Sequence, residues 1–100
     1  MMAALDLLGQ RWTLRVIWEL QQSPAGFREL RRRADTMSSS VLADRLRRLV
    51  EVGIVTTNDD GIYQLTELGQ GLGPALDPLN AWAQQWAAIT ADPLDTGSPA

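Results

Sequence analysis

The 100-residue sequence has no cysteine, no histidine and no lysine. Without cysteine there is no disulfide framework, no thiolate metal site and no thiol redox switch. Without histidine, the usual general base near neutral pH and the commonest metal ligand are both missing. An enzyme would then need paired carboxylates in a cleft. Asp59 and Asp60 instead stand in a turn-forming run, and the other acids are scattered over helical surface positions. The glycine-rich run from Gly69 to Gly73 lacks lysine and follows a helix cap, so it does not read as a phosphate loop. No apolar run is long enough to span a bilayer, and no signal peptide precedes the first periodic segment. The expectation is a cytoplasmic protein that is not an enzyme and carries no metal or cofactor.

What is present is unevenly placed. All nine basic residues are arginines and all lie between Arg11 and Arg48, against five acids from the start of the sequence to Arg48, a local balance of +4. Beyond Arg48 there are seven acids and no base, so the net charge is −3. Local field, not net charge, attracts a phosphate backbone. A basic first half and an acidic second half fit one side facing nucleic acid and one facing solvent.

The stretch Ser38–Gly53, SSSVLADRLRRLVEVG, organises the chain. Any of its three serines can cap a helix. Leu42, Leu46, Leu49 and Val50 recur at helical spacing as one apolar face. Gly53 follows the last apolar residue, where glycine ends a helix at little steric cost. The opposite face carries Ser40, Asp44, Arg47 and Arg48, with Ser39 and Ala43 toward its edge. A greasy back and a front of short side chains followed by guanidinium groups suit a helix that enters a DNA major groove. The same pattern also fits an amphipathic surface helix with solvated arginines, and the neighbouring segments shift the balance.

Upstream, Ala3–Leu8 reads as one or two helical turns ending near Gly9. Trp12–Gln22 reads as a helix with Trp12, Val16, Ile17 and Leu20 on one stripe and an Arg15–Glu19 pair at i,i+4. Ser23-Pro24-Ala25-Gly26 is a break. Phe27–Ala34 is a further helix with Phe27, Leu30, Arg31 and Ala34 inward and Arg28, Arg32 and Arg33 mostly outward. Asp35-Thr36-Met37 connects it tightly to the serine-capped helix, with Met37 as core filler. Two such helices joined by a short turn form a helix-turn-helix. Downstream, Ile54–Thr57 and Ile62–Leu65 are β-rich around Asn58-Asp59-Asp60-Gly61, a hairpin placed where a winged helix has its wing. Thr66 caps a final helix in which Leu68, Leu72, Leu76, Leu79, Trp82, Trp86 and Ile89 continue a stripe. Gly69, Gly71 and Gly73 weaken its start, and Pro74 and Pro78 kink or divide it. Residues 91–100 are expected to be a disordered or frayed tail. The fold class is mainly α with a small β-hairpin, a winged helix-turn-helix over residues 1–90 with dimerisation helices at both ends.

LDLLGQRWTLRVIWEL, FRELRRR, MSSSVLADRLRRLVEVGIV and YQLTELGQGLGPALDPLNAW occur in that order over roughly Leu5 to Trp82. With Gly9, Trp12, Phe27, Leu30, Leu42, Leu46 and Leu49, they resemble the HxlR-type winged-helix transcriptional regulators. The resemblance implies a homodimer built through the terminal helices, a roughly palindromic operator, and regulation of a neighbouring gene, often in response to reactive or toxic small molecules. Many members carry an amino-terminal cysteine that senses electrophiles; its absence here excludes thiol sensing. The wing is short, and Asp59 and Asp60 at its tip are repelled by phosphate. Gly26 stands where the family often has an arginine.

The expected DNA-binding residues are Arg28, Arg32, Ser38, Ser39, Ser40, Asp44, Arg45, Arg47 and Arg48. Arg47 is the candidate base reader, since an arginine fork bonds bidentately to guanine; a phosphate clamp or a solvated charge is the alternative. Asp44 accepts from cytosine N4 or holds Arg47 or Arg48. Ser39 and Ser40 offer the helix amino terminus to a phosphate. Arg28 and Arg32 contact phosphate, with Arg45 on the flank. The expected dimer interface is Leu5, Leu8, Leu76, Leu79, Trp82, Trp86 and Ile89. A different class of function remains open: a dimeric module that binds a small molecule or a protein, with weak DNA binding or none. In that case Trp82 and Trp86 form a pocket for a flat aromatic effector.

Overall fold

The computed structural model describes residues 1–89. Six helices and three short strands follow one another as α1 (Met2–Leu8), α2 (Thr13–Gln22), β1 (Ala25–Gly26), α3 (Phe27–Arg33), α4 (Ser39–Glu51), β2 (Val55–Thr57), β3 (Ile62–Leu65), α5 (Glu67–Gln70) and α6 (Gly73–Ile89). The winged helix-turn-helix architecture is present as expected: α3, a short turn and α4, followed by the β2–β3 hairpin. The expected disordered tail at 91–100 lies outside the described residues.

The core is the set of apolar positions that the periodicity marks. Val16, Ile17 and Leu20 from α2 meet Leu30 from α3, Leu42, Leu46 and Leu49 from α4, and Ala34 and Met37 from the turn between α3 and α4. Ile54, Val55 and Leu65 close one side from the hairpin, and Leu76 closes another from α6. Full burial of a leucine or isoleucine side chain is worth about 1.5–3 kcal/mol, so these residues fix how the two helices of the turn sit against each other. Val50, expected on the apolar face of α4, lies outside the core and is exposed.

Both ends of α4 are built from local chemistry. Ser38 is the cap, its Oγ accepting from Val41 N at 3.2 Å. At the other end Gly53 takes φ +84°, a left-handed value open to glycine at little cost. Ile54 N then donates to Leu49 O and Gly53 N to Val50 O, which satisfies the last carbonyls. The hairpin starts at once, and its loop is held by Asn58 Oδ1, which accepts from Asp60 N and Ile62 N.

Three features differ from the sequence expectation. Ala25–Gly26 is not only a break; it pairs antiparallel with β3, Ala25 opposite Tyr63 and Gly26 opposite Ile62, so the hairpin belongs to a three-stranded sheet of order β1-β3-β2. Two residues are too few to show a period-2 pattern. The final helix is divided at Gly71–Leu72 into α5 and α6, as its glycines allow, while Pro78 sits inside α6. Thr66 caps α5 by accepting from Gly69 N, and its hydroxyl donates to Gly53 O at 2.6 Å, tying α5 to the end of α4. Along α6 only Leu76 is buried, whereas Trp82 and Trp86 are 57% and 49% exposed and Leu79 and Ile89 are exposed too, as is Leu68 on α5. Leu76, expected at a dimer interface, is therefore occupied within its own chain.

Candidate nucleic-acid interface

The arginines divide into two groups. Those facing inward join the ends of helices. Arg33, with a side chain 19% exposed, donates to Glu19 O, Ser23 O and Ser23 Oγ, so α3 satisfies carbonyls at the end of α2. Arg15 pairs with Glu19 at 2.8 Å and donates to Arg33 O. Arg31 donates to Met37 O, which clamps the turn between α3 and α4. The Arg15–Glu19 pair follows from helical spacing, but the bonds of Arg33 to Glu19 and Ser23 and of Arg15 to Arg33 O span 10 to 18 residues, and only the contiguous Arg31-Arg32-Arg33 run near a helix end hinted at them. Arg33, expected mostly outside, is drawn in by the open end of α2.

The outward group makes the surface. Arg28 is exposed and has no ion pair among the described residues. Arg32 is 73% exposed and, among the described residues, bonds to Glu29 alone, through Nε at 2.9 Å and through Nη2. These bonds, with a further one from Arg33, pull the Glu29 carboxyl down from its ordinary 4.5 to about 2. The Glu29 carboxylate in turn raises the Arg32 pKa. On α4, Arg47 is 65% exposed, hydrogen-bonded to Asp44 and 3.7 Å from Glu51; Arg48 also lies 3.7 Å from Glu51. On this front Asp44, Arg47, Arg48 and Glu51 carry two positive and two negative charges. Asp44 accepts hydrogen bonds from both Arg45 and Arg47.

Ser39 and Ser40 are exposed at the amino terminus of α4, while the Ser38 hydroxyl is committed to the cap and lies 3.3 Å from Ser40 Oγ. Arg45 is turned away from the front: its side chain is 20% exposed and Nε donates to Arg11 O at 2.8 Å. The tip residues Asp59 and Asp60 are exposed. A cavity of about 330 Å³ that the sequence did not suggest opens between α4 and the hairpin, lined by Phe27, Ala43, Arg47, Val50, Thr57 and Tyr63 among others. The outward side chains are thus Arg28 and Arg32 on α3 and Ser39, Ser40, Arg47 and Arg48 on α4, with Asp44 half-buried beside them.

A second set of outward side chains is apolar. Leu5 on α1 and Leu79, Trp82, Trp86 and Ile89 on α6 are exposed, and Leu8 is half-buried against the core. Trp82 and Trp86 stack on each other with centroids 6.2 Å apart and planes 4° from parallel, so there is no slot between the two indoles of one chain. A cavity of about 300 Å³ lies between α1, Ile54 and the α5–α6 junction, lined by Ala4, Leu7, Leu8, Ile54, Leu68, Gly71 and Leu72. No helix among the described residues is long and apolar enough to cross a membrane.

Residues 7–91 match the HxlR-like helix-turn-helix family. The chain is 34% identical to the HTH-type transcriptional regulator YodB of Bacillus subtilis over 96% of its own length and 88% of that protein. The crystal structure of quinone-bound YodB superposes with a TM-score of 0.79 at 36% identity, over 85% of this chain and 96% of that one. A possible HxlR family transcriptional factor from Thermoplasma volcanium superposes with a TM-score of 0.76 at 27% identity, over 84% and 81% of the two chains.

Proposed function

Since the chain belongs to the HxlR-like helix-turn-helix family and is a transcriptional regulator rather than an enzyme, we propose that it binds a roughly palindromic DNA operator as a homodimer in the cytoplasm. Residues 1–90 act as the unit that binds DNA and dimerises. The observation that carries this reading is the division among the arginines. Arg28, Arg32, Arg47 and Arg48 stay exposed on α3 and α4 while Arg15, Arg31 and Arg33 hold the fold. In this arrangement α4 is the recognition helix and lies in the major groove. Arg47 exchanges Asp44 for the O6 and N7 of a guanine. Arg28, Arg32 and Arg48 contact phosphates, and the amino terminus of α4, with Ser39 and Ser40, receives another. The acidic hairpin tip stays out of the minor groove.

The homodimer forms through Leu5, Leu79, Trp82, Trp86 and Ile89. Two stacked indoles half open to water are a large apolar surface for a 100-residue chain, and a second copy would cover it. A two-fold pair also presents two copies of α4 to a palindromic site.

An aromatic small molecule as effector is favoured by one finding, the relative solved with a quinone bound. This sequence has no cysteine, so such a molecule would be held by contact alone. The Trp82–Trp86 stack at the dimer interface is the expected place, and quenching of tryptophan fluorescence by planar ligands reads it.

The test is a mobility shift with the DNA upstream of the protein's own gene. Wild type is expected to give one discrete complex of two protomers per operator, and Arg47→Ala to bind with discrimination reduced by about 1–3 kcal/mol at one base pair in each half-site. No shift at low salt refutes the reading.

A further inference from the structure

Arg45 differs from the other arginines of α4 in what it touches. Its Nε donates to the Arg11 carbonyl at 2.8 Å, between residues 34 positions apart, and its Nη1 donates to Asp44 Oδ2 at 2.6 Å. The other oxygen of that carboxylate, Oδ1, accepts from Arg47 Nη2. One planar fork thus joins the corner between α1 and α2 to a carboxylate on the front of α4, and through it to the guanidinium offered to DNA.

The corner has an unusual shape. Trp12, the residue before α2, has φ 75° and is the one non-glycine residue with positive φ among the described residues. The Arg11 guanidinium lies over its indole, 5.0 Å from the centroid. Next to it Thr13, 1% exposed, keeps a buried hydroxyl with no hydrogen-bond partner. Such features persist where the surroundings fix them. None of the residues of α1 is buried, so little of that hold comes from α1. The bond from Arg45 is charge-assisted and comes from α4.

We infer that Arg45 is a positioning residue, which braces α4 against the α1–α2 corner and fixes through Asp44 the direction of the Arg47 guanidinium. The inference rests on the reading of α4 as the recognition helix, and Arg45 itself does not touch DNA. Arginine is required because its fork reaches a carbonyl and a carboxylate at once, whereas a lysine ammonium is a compact point charge on a flexible stem.

Arg45→Gln and Arg45→Lys are compared with wild type by fluorescence anisotropy over a salt series, on the operator and on copies changed at the base pair read by Arg47. A positioning role leaves the salt slope unchanged in both variants and lowers the preference for the operator roughly tenfold in both. In Arg47→Ala, adding Arg45→Gln changes the preference no further, because the two residues act as one unit. Direct binding of phosphate by Arg45 gives a different result: lysine keeps the affinity, and glutamine lowers the slope by about 0.9 for each phosphate that Arg45 had neutralised. That result overturns the inference. In the free protein, the Nε–H of Arg47 is followed by NMR; it is ordered in wild type and mobile in Arg45→Gln. An unchanged Arg47 signal overturns the inference whatever the DNA results. A changed signal in a protein that binds no DNA supports the brace and places the failure on the proposed function.

Discussion

Truncating Arg33 separates the arginines that hold the fold from those that face outward. Arg33 Nη1 donates to the carbonyls of Glu19 at 3.2 Å and Ser23 at 2.9 Å, and Nη2 donates to Ser23 Oγ at 2.7 Å. Arg33→Ala removes all three, together with the surface pair to Glu29 at 3.1 Å, and leaves two carbonyls at the end of α2 without a donor from α3. An ordinary hydrogen bond contributes about 0.5–1.5 kcal/mol net and one to a charged group about 1.5–3 kcal/mol. Water reaches this site and the three bonds share one side chain, so the lower range applies to each and the combined loss is about 2 kcal/mol. For a domain of this size each kcal/mol moves the melting temperature by about 4–8 °C, so the expected fall is roughly 8–16 °C. The assay is thermal denaturation followed by circular dichroism at fixed protein concentration, since dimerisation is linked to stability. Arg32→Ala serves as the comparison. Its partner among the described residues is Glu29 at the exposed surface, and it is expected to melt closer to wild type than Arg33→Ala does while weakening DNA binding. If Arg33→Ala also melts within about a degree or two of wild type, the bonds to the end of α2 hold nothing and the division among the arginines is wrong.

Further expectations concern acid stability, a glycine and the dimer surface. The Glu29 carboxyl is held down to about 2 by its hydrogen bonds from Arg32 and then Arg33. A depressed carboxyl contributes stability that is present above the unfolded value near 4.5 and is lost as pH falls toward 2. An NMR titration of the Glu29 side chain should show that midpoint, and Glu29→Gln should flatten the stability curve in that window; a midpoint near 4.5 would contradict the geometry. Gly69→Ala places a Cβ 2.3 Å from Ile54 O and 3.2 Å from Ile54 Cγ2 and Leu65 Cδ2. Overpacking of about 1–3 kcal/mol outweighs the gain of about 1 kcal/mol in helix propensity, so urea denaturation should show a less stable protein. Trp82→Ala with Trp86→Ala removes the exposed stack; sedimentation at micromolar concentration should give monomers where wild type gives dimers, and unchanged dimers would place the subunit contact elsewhere.

Much of this was legible in the chain, because local rules and tertiary packing agree over the helix-turn-helix. Leu42, Leu46 and Leu49 show their period, Ser38 and Gly53 mark the ends of α4, and Asn58 to Gly61 mark the hairpin loop. The third strand was not legible, since Ala25–Gly26 becomes a strand only when β3 is beside it. Arg33 and Arg45 were misplaced for one reason: their partners, Glu19, Ser23 and Arg11, lie 10 to 34 residues away, and helical spacing says nothing about such pairs. Leu76 and Val50 went the other way. A stripe shows that a face is apolar, but not which of its members another element covers.

The account stands on positive charge held outward on α3 and α4 of a paired protein, and salt dependence measures this most directly. If three arginines of each protomer neutralise phosphates, six counterions are released per dimer. The logarithm of the association constant for operator DNA should then fall against the logarithm of salt concentration with a slope of about −5. A slope near zero would contradict the account, because α4 would then carry its arginines for some purpose other than the DNA backbone.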